Sequence, residues 1–381
     1  MCALRCSGLL LGALLVASTT SHSGMAAPQC PSPDTGVPAE RIQTLARGFN
    51  LPGWVSGATQ QPPSKTTLRA LRKRGLTHIR LPVTAERLMD SYADPRETRQ
   101  QLEKLDLALD TLLELGFGIS LDVHPGERLG RLHKQDSDEG FRRINALWSL
   151  LARRYARHSA DRLFLEVLNE PSVPARIWNE QGPRLVRTIR QEAPRHTIIY
   201  GPADYQHIDA LSALKPLTEQ NIVYAVHFYE PMIFTHQGLN WSDDPLRHLA
   251  KVPFPATLSD PPVARLVGTL VAEGRGEAAA LLKSGLRSPW TEERVRHIIA
   301  RAANWARVHS RPVIINEFGV LAWKADPADR ARWIATVRRA AESNCLGWTH
   351  WDYADGFGFV HRVGDREFPD PRMLNALVGN P

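Results

Sequence analysis

The stretch Leu163-Phe164-Leu165-Glu166-Val167-Leu168-Asn169-Glu170-Pro171 decides the fold. Its apolar residues are nearly continuous where a half-exposed strand would alternate, which marks a strand covered on both faces. It then ends in an amide, a carboxylate and a proline. Seven runs of the same kind flank it: Ala46 to Asn50, His78 to Val83, Gly118 to His124, Thr197 to Tyr200, Ile222 to Tyr229, Pro312 to Glu317 and Gly347 to Trp351. Between the runs lie segments of helical periodicity, among them Thr67 to Arg74, Thr98 to Leu115, Phe141 to Arg157, Gly182 to Glu192, Glu292 to Val308 and Ala328 to Glu342. Buried strands alternating with helices predict a parallel sheet, and closing it gives an α/β fold of the (β/α)8 TIM barrel type.

One connection is far longer than the others. Residues 231–290, after the sixth run, read as an insertion on the catalytic face, loop-like around Pro253, Pro255, Pro261 and Pro262, with a short helical patch at Ala278 to Leu282. A doubly wound sheet is the alternative, and Gly274-Arg275-Gly276-Glu277-Ala278-Ala279 resembles a dinucleotide fingerprint. No strand precedes it, so a cofactor loop is not expected. The chain has no P-loop, H-E-x-x-H or G-x-S-x-G motif, which leaves the common phosphate, zincin and serine-hydrolase chemistries without a foothold.

The 381 residues are 43% hydrophobic and 23% charged, enough to bury a full core. An excess of 47 Lys and Arg over 40 Asp and Glu leaves +7, scattered singly and without the basic stripe that nucleic-acid binding requires. Leu9 to Ala17, preceded by Arg5 and followed by small residues to Ala27, has the grammar of a secretory signal peptide and is too short to span a bilayer. The expected organisation is a signal peptide over 1–27, a Pro-rich leader over 28–40 and a single domain over 41–381. Secretion or periplasmic location, no stable membrane insertion and a monomeric state go with it. Cys30 and Cys345 would then remain in the mature chain, where an oxidising compartment either joins them or leaves two separate thiols.

Polar residues fall where the apolar runs end: Arg80, His124, Asn169 with Glu170, His227 with Tyr229, Glu317 and Trp351. In this fold the C-terminal strand ends build the active site, so six strands converge on one pocket. Glu170 and Glu317 supply the two carboxyl groups that glycosidic cleavage needs, one to protonate the leaving group and one to attack or to activate water.

With Leu168-Asn169-Glu170-Pro171 after the fourth run and Ile315-Asn316-Glu317-Phe318-Gly319 after the seventh, the sequence resembles glycoside hydrolase family 5, the cellulase family of clan A, over roughly residues 40 to 365. The resemblance implies a retaining double displacement with Glu170 as acid/base and Glu317 as nucleophile. It makes Asn169 the partner of the sugar 2-hydroxyl and Tyr229 and Arg80 the residues that hold Glu317 ionised. His124 and His227 would complete the subsite, and Trp351 would be its stacking floor. The nucleophile's charge is expected to raise the pKa of Glu170, and the carboxyl separation to be roughly 5 to 5.5 Å. Glu166, of the same parity as Glu170 but one layer deeper, is read as a structural ion, and Asp122, Asp352 and Asp355 as supporting or subsite residues. Trp54, Tyr205 and Trp241 are candidate sugar platforms.

The implied activity is an endo-β-1,4-glucanase acting on β-glucan without metal or cofactor. β-Mannanase and β-1,3-glucanase activities share the same residues, and a non-catalytic glycan-binding protein on a decayed barrel is the alternative from another class.

Overall fold

The computed structural model describes residues 36–56 and 61–379. Eight parallel strands form a closed barrel in chain order: β1 (Arg47–Asn50), β2 (His78–Thr84), β3 (Gly118–His124), β4 (Leu163–Glu166), β5 (Ile198–Tyr200), β6 (Ile222–His227), β7 (Val313–Glu317) and β8 (Gly347–His350), with β8 closing on β1. The expected (β/α)8 architecture is therefore present. Leu163 to Glu170 reads as one strand in the sequence, yet β4 ends at Glu166; Val167 and Asn169 still donate to Ile199 and Val123, and Glu170 then takes a left-handed backbone (φ 45°) that no strand accommodates.

Alternation sorts the strand residues into two environments. Phe164, Ile199, Val223, Ala225 and Ile314 meet inside the barrel with Leu45 and Val37, forming an apolar plug. Residues of the other parity, such as Leu165, Ile198 and Ile315, face the helices and join the main core with Trp178 and Trp333. Moving two residues along from the plug reaches Glu166, His227 and Asn316, so the barrel interior changes from apolar to ionic within one layer.

The insertion is more ordered than expected. It contains helices Met232–Thr235, Pro261–Ala272 and Gly276–Gly285 in place of a loop with one helical patch. Pro261 and Pro262 open a helix where a missing N–H costs nothing, after Asp260 at the N-cap position. Gly274, in the left-handed region (φ 70°), ends that helix, and Gly276 begins the next; the apparent fingerprint is a turn between helices. An antiparallel hairpin of β9 (Val360–Val363) and β10 (Arg366–Pro369) follows the barrel and was not anticipated. Among the described residues no helix is long and apolar enough to cross a membrane. Cys345 is disulfide-bonded. Cys30, its expected partner, lies outside the described residues, as do the expected signal peptide and most of the leader.

Close packing at the barrel base makes a prediction. A Cβ on Gly48 would stand 2.5 Å from Thr349 Cγ2 and 2.6 Å from the His78 carbonyl oxygen, which is backbone and cannot step aside. Gly48→Ala is expected to lower stability by about 1–3 kcal/mol, the usual cost of overpacking, as measured by urea unfolding. An unchanged midpoint would contradict the packing described.

Candidate active site

Arg80, in the middle of β2 and fully buried, is the hub of the ionic layer. Its Nε donates to Glu166 Oε2 (2.9 Å) and its Nη2 to Glu166 Oε1 (2.8 Å) and Asn169 Oδ1 (2.8 Å). Nη1 donates to Asn50 Oδ1 (3.0 Å) and Glu317 Oε1 (2.5 Å). Asp122 Oδ2 lies 2.9 Å from Nη2 and 2.6 Å from His124 Nε2. Burial disfavours charge on both Asp122 and His124. Their mutual attraction, with Arg80 acting on Asp122, overcomes it and holds the aspartate pKa down and the histidine pKa up.

Glu317 ends β7 beside a register shift between Val226 and His227 on β6, so that His227 pairs with Glu317. Its second oxygen, Oε2, accepts from the Tyr229 hydroxyl (2.9 Å). Both oxygens of this carboxyl group are thus fixed by donors, one of them cationic. Glu170 is placed differently. Its Oε1 lies 3.0 Å from His227 Nδ1, and no arginine or lysine bonds it among the described residues. Burial, opposed by the charges of His124 and Arg80 and aided by Asp122, pushes its pKa up to about 7. The expected direction holds, but the expected cause does not: desolvation leads and the charge of Glu317 is not among the contributors.

One oxygen of Glu170, one of Glu317 and a ring nitrogen of His227 all lie within 4.8 Å of one another. These three residues could hold a divalent cation, although the Arg80 guanidinium already neutralises Glu317. His227 is kept neutral by burial, which lowers its pKa to about 4. His124 stacks on Trp351 at 6.0 Å between ring centres, so the residues expected from β3 and β8 form one aromatic surface. The deeper glutamate, Glu166, is bonded by Arg80 and by Asn316 Nδ2 (2.7 Å), and burial raises its pKa to about 7. Asp352 Oδ1 accepts from the Asp355 backbone N–H, a loop contact away from the carboxyl pair.

A cavity of about 700 Å³ opens over this centre. It extends past Glu170 to Tyr205 and Trp241, both more than half exposed. Trp54 is only 6% exposed, so it is not a sugar platform; it sits on the short helix Pro52–Val55 and belongs to the main hydrophobic core. The lining includes five carboxylates, from Glu170, Asp204, Glu230, Asp244 and Glu317, and neither lysine nor arginine. Sequence reasoning missed His207, whose Nε2 is bonded to Glu230, and Trp323, which packs edge-on against Trp241 at 5.9 Å. His207 follows β5, whose loop carries no motif, and Trp323 stands beyond the Ile315 to Gly319 motif, which gives no sign of it.

A family model described as Cellulase (glycosyl hydrolase family 5) matches residues 38–355. The chain belongs to glycosyl hydrolase family 5. It is 27% identical over 344 residues to Endoglucanase 3 of Fibrobacter succinogenes, spanning 84% of this chain but only about half (51%) of that relative. It is 25% identical to Endoglucanase C of Acetivibrio thermocellus, over 87% of this chain and 97% of the relative. Among solved structures, Thermotoga maritima Cel5A superimposes with a TM-score of 0.71 at 25% identity, covering 89% of this chain and 99% of that one, in a complex with cellobiose. The same protein has been solved with mannotriose. The family 5 assignment makes this chain a glycoside hydrolase.

Two tryptophans separate binding from packing. Trp241→Ala is expected to cost about 1–3 kcal/mol in kcat/KM on long oligosaccharides, by analogy with lost stacking platforms, and little on a short aryl glycoside. Trp54→Ala should instead destabilise the fold by about 3–5 kcal/mol. Equal effects of Trp241→Ala on both substrates, or none on either, would make Trp241 a packing residue.

Proposed function

We propose that this protein is an exported, retaining endo-β-1,4-glucanase in which Glu317 is the nucleophile and Glu170 the general acid and base. One observation carries the reading: two carboxyl groups with oxygens within 4.8 Å of each other sit in opposite electrostatic settings. Arg80 and Tyr229 donate to Glu317, while Glu170 faces a neutral histidine with its pKa raised to about 7. Paired titratable groups pushed apart in this way divide acid from nucleophile. Retaining pairs stand roughly 5 to 5.5 Å apart and inverting pairs roughly 6.5 to 9.5 Å; one oxygen of each group within 4.8 Å of the other supports the closer arrangement.

In the first step a Glu317 oxygen bonds to the anomeric carbon, and the glycosidic bond breaks with its electron pair going to the leaving oxygen. That oxygen takes the proton of Glu170. In the second step Glu170, now anionic, takes a proton from a water molecule whose oxygen bonds to the same carbon, and the ester bond breaks to return its pair to Glu317. Two inversions retain the configuration. Arg80 occupies the Asn169 carbonyl oxygen, which turns the amide N–H groups toward a sugar hydroxyl. Trp351, lining the cavity, serves as floor to the ring.

The glucan reading draws on the relatives named endoglucanase and on the cellobiose complex of Cel5A. A β-mannan reading is the second, favoured by that protein's mannotriose complex. A lining with five carboxyl groups and, among the described residues, no lysine or arginine offers no such cation to pair with a phosphodiester or uronate chain and suits a neutral glycan. Export rests on the sequence of residues 1–27.

Two variants test the division of labour. Glu170→Ala should retain much of its glycosylation rate on a dinitrophenyl cellobioside, with azide rescuing the second step, whereas Glu317→Ala should be inactive on every substrate. Equal losses of both variants on natural and activated substrates would overturn the roles. Because Glu170 must carry its proton into the first step, kcat/KM on unactivated cello-oligosaccharides is expected to fall as pH rises through about 7. A profile flat to pH 9 would assign the acid elsewhere.

A further inference from the structure

Gln206, in the loop after β5, is fully buried, and no established role of the site involves it. Its side-chain Oε1 accepts the backbone N–H of Glu170 at 2.8 Å. Its own carbonyl oxygen accepts the backbone N–H of His227 at 2.9 Å, and the His227 ring returns to the Glu170 carboxyl at 3.0 Å. One residue therefore ties the backbone of Glu170 to the backbone of the histidine that touches its carboxyl group, closing a ring of three contacts.

The conformation on both sides requires such a tie. Glu170 holds a left-handed backbone (φ 45°), and Asp204, Tyr205 and Gln206 are left-handed in succession (φ 56°, 55° and 57°). Residues other than glycine enter that region at a cost and stay only where surrounding contacts hold them. The room for Gln206 is also specific: a Cβ on Gly201 would lie 2.2 Å from its Nε2 and 2.6 Å from its Cγ. Nε2 itself is buried and makes no hydrogen bond among the described residues, so only the acceptor end of the amide is in use.

We propose that Gln206 is a positioning residue for proton transfer, its amide oxygen holding Glu170 in the left-handed turn that aims the carboxyl group at the leaving oxygen. This rests on Glu170 being the acid/base. A misaimed acid slows only the substrates that need its proton. A purely structural loop residue would change all substrates alike, or alter stability alone.

The test is the leaving-group dependence of kcat in Gln206→Met, which preserves length and removes the acceptor. Expected is a roughly 10- to 100-fold lower kcat on cello-oligosaccharides, KM unchanged, and less than about a threefold change in the glycosylation rate on dinitrophenyl cellobioside. Gln206→Glu, which keeps an acceptor oxygen at the same reach, should recover most of the loss. An equal loss on both substrates, no loss on either, or no recovery by Gln206→Glu would overturn the proposal. Should Gln206→Met fail to fold, Gly201→Ala, which crowds the amide from the opposite side, is expected to give the same selective loss; failure of both to fold would make the loop structural. Glu170→Ala run in parallel separates the two ideas. If it shows selective loss with azide rescue while Gln206→Met does not, the role of Gln206 falls and that of Glu170 stands. If it does not, both fall.

Discussion

A single guanidinium held inside a barrel against three carboxylates is the constraint on which the site depends. Arg80 bonds Glu166 and Glu317 and contacts Asp122; Arg80, Asp122 and Glu166 are shut off from bulk water, and Glu317 is 5% exposed where it lines the cavity. Burying ions costs several kcal/mol each, which attraction repays only with good geometry and saturated hydrogen bonds. One positive charge cannot balance three negative ones in that setting. Two responses are visible: the pKa of His124 is raised beside Asp122, and burial raises that of Glu166 to about 7 despite Arg80. Protons are thus favoured on His124 and Glu166, while Asp122 is held ionised by Arg80 and His124, and Glu317 is bonded by Arg80 and Tyr229 from two sides.

That arrangement sets a conflict between stability and function. Glu166 and Glu170 have folded pKa values of about 7 against an ordinary 4.5, so the folded protein binds more protons than the unfolded chain between those values. Their contribution to stability is fully present below about pH 4.5 and is lost as pH rises through 7. His227, lowered to about 4, acts in the opposite sense between 4 and 6.5. The two glutamates therefore favour the folded state least from about pH 7 upward, and Glu170 is half protonated at the start of that range. The surrounding barrel, with its apolar plug below and helix-facing core outside, supplies the stability that this layer withholds.

Much of this was legible in the sequence because period and position carry physical meaning. Continuous apolar runs ending in Arg80, His124, Asn169 and Glu170, and Glu317 revealed both the barrel and the strand ends that meet in it. Parity alone placed Glu166 below Glu170. What stayed hidden depends on contacts across the fold. Gln206 and His207 sit in a loop with no pattern, and their roles come from left-handed backbone and from partners on β4 and β6. Trp54 looked like a platform because an indole near a strand end is compatible with either face of the sheet. The helices of the insertion were masked by Pro261 and Pro262, which break a helix in its middle but begin one at its first turn.

The chemistry and the selection of substrate fall on parts of the molecule with different rigidity. Arg80, Asp122, His227 and Glu317 lie on strands, where the ladder fixes each backbone from two sides. The exposed aromatics stand on loops after β6 and β7, yet they are not loose. Trp241 meets Trp323 edge-on at 70° and His236 at 77°, and His236 in turn meets Phe357 at 68°. Edge contacts restrain an indole about its side-chain torsions without covering its face. Had Trp241 been stacked face to face with a neighbour, its surface would be spent inside the protein; had it stood alone, binding a sugar would have to order it first. The T-shaped cluster meets both requirements.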